Sequence, residues 1–262
     1  MRKFIVLGGM LLVIFLGLAI TTHLSQAASR DSKPNPSVIY LNQAWSDKDR
    51  AFFYWAPQGS ALLSYDIYLA LEHVDSKELF NSIKSADKFG LLHDGIDSIN
   101  NPDSLPIGIA KSVVASGKYK GQYAGLTCAA CHTGQVQYKG QQIRIDGGFG
   151  NRFDVYLWHS MVSKSLDATL NDPKKFKALH SRINAKTATS ESDLKARLKV
   201  DADYVRGQLT NVLVVPFHPG PGRTDALTQE NNNFIASKTG ILENTRPTIA
   251  PVNGSTLDHT TA

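Results

Sequence analysis

The chain has 262 residues, 42% of them hydrophobic, and a formal net charge of +5, which is enough apolar material for one large domain or two small ones and too much for a disordered chain. Removal of residues 1–27, which hold Arg2, Lys3 and no acid, leaves +3; no basic run is interleaved with aromatics, so nucleic acid is not an expected partner. Nothing repeats internally.

At the N-terminus Arg2 and Lys3 form a basic head, residues 4–20 are an unbroken apolar and glycine run, and polar Thr21, Thr22 and His23 follow. That is the layout of an export signal, with Ser25 and Ala27 as the small residues a signal peptidase requires. Residues 1–27 therefore read as a signal peptide, and the body of the chain as periplasmic or otherwise exported. The 17 residues of the apolar run also lie near the lower limit for a membrane span. A retained anchor is the alternative, and the one route to membrane association.

Residues 28–124 read as a helical region. Ser46, with Asp49 three positions on, gives a capping-box start to a helix that Pro57 ends. Ser64 is read as the cap of a helix with Ile67, Leu71 and Val74 on one face, and Ser76 as the cap of a helix carrying Leu79, Phe80 and Ile83. Gly, Pro, Asn and Asp cluster without periodicity through residues 90–108, which marks a long loop of the kind that often carries function.

Cys128 and Cys131 are the two cysteines of the chain, and His132 follows at once. In an oxidising compartment a disulfide is the default, but two cysteines separated by two residues close a tiny loop, and such bridges are more often redox-active than structural. A thiol-disulfide pair, half of a zinc site and covalent attachment of haem c compete. The histidine favours haem. In Cys-x-x-Cys-His both sulfurs form thioethers to the haem, and the next side chain becomes the proximal iron ligand. A zinc site needs further nearby Cys or His ligands, and none follows. A dithiol oxidoreductase expects a helix after the motif, where "VQYKGQQIRI" instead reads as a β-hairpin about Lys139 and Gly140. Thr127 is the expected N-cap of the motif. "IRIDGGFG" lacks the strand-glycine-helix setting of a phosphate loop, so Gly147 and Gly148 are assigned a backbone kink.

Further along, Phe153, Tyr156, Leu157 and Met161 fall at helical spacing, Asp172 and Pro173 start another helix, and Ser190 with Asp193 opens a long one with Leu194, Leu198, Ala202, Val205 and Leu209 on its apolar face. Residues 215–226 form a Pro/Gly loop containing His218 and Arg223. The tail, 253–262, is polar and reads as loose.

A sixth iron ligand separates an electron carrier from a haem open to dioxygen or peroxide. The candidates are Met161, His159 and His218, with His73 and His93 weaker. Met161 also fits core packing, His159 also fits a solvent-facing position, and His73 and His93, beside Glu72 and Asp94, fit the surface. Arg223 suits a forked ion pair with a haem propionate, with Asp225 as the competing partner. Trp55 and Trp158 fit either a haem pocket or the core.

The stretches "QGSALLSYDIYLALE", "NPDSLPIG", "GLTCAACHTGQVQYKG", "IRIDGG", "GRTDALTQENNNF" and "TRPTIAPV" together resemble the N-terminal half of bacterial dihaem c-type cytochromes related to the rubber oxygenases and, more distantly, to dihaem cytochrome c peroxidases. The resemblance covers residues 45–252. It implies that Cys128 and Cys131 attach a haem, that His132 ligates its iron, that the fold is largely helical, and that the distal face can stay open for dioxygen or peroxide. Relatives of that kind continue into a second Cys-x-x-Cys-His, so the resemblance implies a truncated relative with one haem. The expectation is a mainly α protein: residues 28–124 packing on a cytochrome c-like helical haem domain, 125–252, with a small hairpin after the motif. Its expected function is electron transfer to an unidentified redox partner, with oxidation of a small-molecule substrate by dioxygen or peroxide as the alternative and thiol-disulfide exchange as a third.

Overall fold

The computed structural model describes residues 38–148, 151–211 and 220–222. Among them the elements run β1 (Val38–Tyr40), α1 (Asp47–Trp55), β2 (Leu63–Ser64), α2 (Tyr65–Ala70), α3 (Ile83–Phe89), β3 (Ile109–Val114), β4 (Gly121–Leu126), α4 (Cys128–His132), β5 (Thr133–Tyr138), β6 (Gln141–Asp146), α5 (Val155–Asn171), α6 (Pro173–Asn184) and α7 (Glu191–Asn211). The strands form two three-stranded sheets, ordered β1-β6-β5 and β2-β4-β3. The architecture is mixed α/β, which corrects the expectation of a mainly α, cytochrome c-like helical domain.

The strands that a helical reading misses lack a clean period of two. In β3 and β4 small residues dominate because the sheet is pressed against residues 58–62. A methyl group on Gly125 would lie 2.1 Å from the Ser60 carbonyl oxygen, and the Ser112 hydroxyl donates to that same oxygen at 3.0 Å. Consecutive residues are buried at Ile109 and Ala110 and at Ala124 and Gly125, which erases there the alternation that marks a half-buried strand.

Local signals that agree with the wider packing hold. Ser46 and Asp49 form the capping box of α1, Asp172 caps α6 with Pro173 in its first turn, and the Ser190 hydroxyl accepts from Asp193 N at 3.1 Å at the start of α7. The hairpin turns at Lys139 and Gly140, both at positive φ, and Val136 faces Ile143 across it. The helix expected from Ser64 is shorter, because the chain leaves helical geometry at Leu71, where Phe80 N donates to its carbonyl and Glu72 bridges Leu79. Ser82, not Ser76, caps the next helix.

One apolar cluster gathers α2, α3, α5, α6 and α7. Trp158, Val162 and Leu166 of α5 share it with Leu194, Leu198 and Ala202 of α7, all at 2% exposure or less. No helix among the described residues is long and apolar enough to cross a membrane. The β1-β6-β5 sheet is built the other way round. Its charged Arg144 and Asp146 are each 2% exposed, whereas Ile39 and Val136 are 42% and 48% exposed. The face turned toward α1 is polar and the outer face is apolar.

Leu198 has no exposed surface, so Leu198→Ala should cost about 2–5 kcal/mol, the transfer of the lost carbons plus the cavity they leave. Urea unfolding of wild type and variant measures it, with an unchanged m-value expected.

Candidate functional site

The five residues Cys128-Ala-Ala-Cys-His132 form α4, a single turn capped by Thr127, whose hydroxyl accepts from Ala129 N. Three segments hold this turn. The end of α1 supplies the Tyr54 carbonyl, which accepts from the Thr127 hydroxyl at 3.3 Å, and Gln58 just beyond it accepts from Cys128 N at 2.8 Å. The end of the long loop supplies Gly108: its N–H donates to Tyr54 O and its carbonyl accepts from Thr127 N. At Gly108 φ is +91, and a methyl group there would lie 2.2 Å from Ala130 N and Cα, so the backbones meet where no side chain fits. The third segment is the stretch just before α5. Asn151 N donates to Cys131 O at 3.1 Å, and its side-chain amide donates to Ala130 O and Thr133 O at 2.7 Å each. In residues 220–222, Gly222 N donates to Phe153 O, which sets that stretch beside Asn151.

Both cysteines are free; Cys128 is exposed and Cys131 partly buried. Burial, with a smaller contribution from Cys128, pushes the Cys131 thiol up to about 11. That is opposite to the lowered value of a nucleophilic thiolate.

His132 is oriented by a backbone group. Its Nδ1 lies 2.7 Å from the Gly148 carbonyl oxygen; a carbonyl only accepts, so Nδ1 carries the proton and Nε2 is the ring nitrogen left to act as a ligand. Gly148 N donates in turn to His132 O at 3.1 Å, so the two residues grip each other twice. The kink expected at the glycine pair is present at Gly147, with φ +66.

Behind the glycines lies a buried ionic cluster that sequence reasoning did not single out. Asp146 accepts from Tyr54 Oη at 2.5 Å and from Arg50 Nε at 3.0 Å, and its carbonyl accepts from Gln43 at 2.7 Å. Arg144 makes a forked pair with Asp94 at 2.7 and 3.0 Å, and Arg50 stands 3.9 Å above the Tyr40 ring. Burial drives the Tyr54 hydroxyl far above the usual tyrosine range. The available signal was the alternation of Ile143 and Ile145 with Arg144 and Asp146 on one strand.

The proposed sixth ligands fare differently. His93 has both ring nitrogens committed, Nε2 to the carbonyls of Asn81 and Ser104 and Nδ1 to Gly95 N, a loop-shaping role. His73 is not a surface residue: it is 1% exposed, bonded to Ser85 Oγ and packed on Phe80 and Phe89. His159 is likewise buried, at 4% exposure, with Nδ1 bonded to Val155 O at 2.9 Å and Trp158 edge-on. Met161 packs against the main cluster. His218 and Arg223 lie outside the described residues, as do the N-terminal segment and the tail. Trp55 Nε1 is buried and finds no acceptor among the described residues, and the same holds for Thr133 Oγ1. No cluster of three or more His, Cys, Asp or Glu among the described residues is arranged around a metal ion.

No protein-family model and no solved structure matches this chain. It is similar to an uncharacterized protein, y4iJ, of Sinorhizobium fredii: 25% identical over 271 aligned residues, covering 94% of this chain and 44% of the relative. The chain thus spans less than half the length of the relative it matches.

Two outcomes follow. Gly108→Ala should displace Ala130 and loosen the turn, seen as faster amide exchange at residues 128–132. Burial pulls His159 down to about 4, below its unfolded value of about 6.5; the unfolded chain then binds more protons between those values, so stability falls as pH drops through that window. His73 and His93 are lowered too and add to the slope. His159→Leu should flatten the pH dependence of the urea midpoint between about pH 6.5 and 4 without abolishing it.

Proposed function

We propose that this is an exported c-type cytochrome: Cys128 and Cys131 carry one covalently attached haem c, His132 ligates its iron, and the protein transfers single electrons to a partner protein. The observation that carries the reading is the His132 imidazole, held by the Gly148 carbonyl at 2.7 Å so that Nε2 is the nitrogen left for a metal. Oriented donation of the other ring N–H to a carbonyl is the usual second shell of a metal-bound histidine. Two free sulfurs three residues apart on the same helical turn complete the donor set that thioether attachment needs. The unpartnered, buried Trp55 N–H near this turn suits a propionate carboxylate, which needs a donor.

When bound, haem c supplies one-electron chemistry between ferrous and ferric iron, at a potential set by the axial ligands and by solvent access. The chain's own part is to hold His132 in one tautomer and to keep the helical turn rigid between Tyr54, Gly108 and Asn151. The β-hairpin that follows the motif, where a dithiol oxidoreductase expects a helix, argues against thiol-disulfide exchange. Export rests on the basic head, apolar run and small residues of the N-terminal segment.

The test is the visible spectrum of the chain produced with haem c maturation machinery, reduced, before and after carbon monoxide. A haem spectrum that is lost in Cys128→Ser and Cys131→Ser supports covalent attachment, and a colourless wild-type product overturns it. No change with carbon monoxide means a sixth protein ligand and an electron carrier; a clear shift means an open iron site and the dioxygen- or peroxide-activating reading.

A further inference from the structure

We propose that Asp146 is a positioning residue for His132: by anchoring the end of β6 to α1 it fixes the Gly148 carbonyl, and so tunes how strongly the imidazole donates to iron. The inference rests on the haem reading and adds to it a control of the reduction potential.

The hairpin makes the connection geometric. Thr133, the residue after His132, pairs with Asp146, so the motif and the glycine pair flank the same open end of one ladder. Gly148 closes the loop by gripping His132 through both its N–H and its carbonyl. Between the ladder and that grip the glycine pair offers little stiffness of its own, because glycine is the least conformationally restricted residue. What fixes the strand end is therefore Asp146. Its carboxylate is taken up on one oxygen by Tyr54 and on the other by Arg50, and its side chain is 1% exposed. Tyr54 and Arg50 belong to α1, whose end holds Thr127 and is followed by Gln58, which holds Cys128. One helix thus sets both the cysteine end and the histidine end of the motif.

The effect on iron follows from the hydrogen bond. A carbonyl accepting the Nδ1 proton enriches the imidazole and favours the ferric state. When the grip loosens, that preference weakens and the midpoint potential rises. Each tenfold change in the preference for ferric over ferrous iron is about 59 mV for a one-electron couple.

The experiment is a redox titration of the haem-loaded full chain, wild type against Asp146→Asn, Tyr54→Phe and Leu198→Ala. Asp146→Asn removes a charge as well as an anchor and raises the potential by either route. Tyr54→Phe removes a hydrogen bond with no change of charge, so a rise of the same sign there is the deciding result, and it decides even where Asp146→Asn does not fold. Leu198→Ala, destabilised but remote from the cluster, should stay at the wild-type potential. The proposal is overturned by a Tyr54→Phe potential equal to wild type, or by Leu198→Ala shifting equally. A wild-type chain that takes up no haem overturns the underlying haem reading instead, and is recognised before any titration.

Discussion

The arrangement around Cys128 and His132 depends on one buried carboxylate. Asp146 is 2% exposed, and a charge so far out of water is tolerated only when its oxygens are fully engaged. Arg50 and Tyr54 do that from α1. The requirement ties β6 to α1 at one register, since a slip of one residue would turn Asp146 to solvent and an isoleucine into the polar layer. Everything that orients His132 lies downstream of that register.

This layer also explains an unusual sheet. Ion pairs between buried groups are poor sources of net stability but specific ones, because a misplaced partner leaves an uncompensated charge. The forked Arg144–Asp94 pair and the Asp146 cluster give the β1-β6-β5 sheet a polar inner face, while the separate apolar cluster of α5 and α7 provides hydrophobic burial. The long loop of residues 90–108 is drawn into both roles. Asp94 at its start enters the polar layer, and Gly108 at its end packs on Ala130.

What could be read from the sequence follows the range of the interaction. Ser46, Thr127, Asp172 and the Lys139-Gly140 turn act within a few residues, and their expected caps and turn are present. Alternation of Ile143 and Ile145 with Arg144 and Asp146 announces a strand, yet period two says that the faces differ, not which one is inside; the charged face is buried here because partners 50 or more residues away meet it. Strands β3 and β4 stayed hidden because small residues demanded by Ser60 replace the alternating pattern. His73 and His159 looked like surface or optional groups, since nothing local tells a buried histidine from an exposed one. The Cys-x-x-Cys-His spacing is local and was legible; the Gly148 carbonyl that orients its histidine is 16 residues away and was not.

The account stands on covalent attachment at one short helical turn, and intact-mass and peptide mass spectrometry of the exported chain addresses that most directly. The expected result is a mass increase of one haem per chain that survives acidified-acetone extraction and maps to the peptide holding both Cys128 and Cys131. Two unmodified thiols, or a disulfide between them, in chain matured alongside a haem-loaded control cytochrome would contradict it.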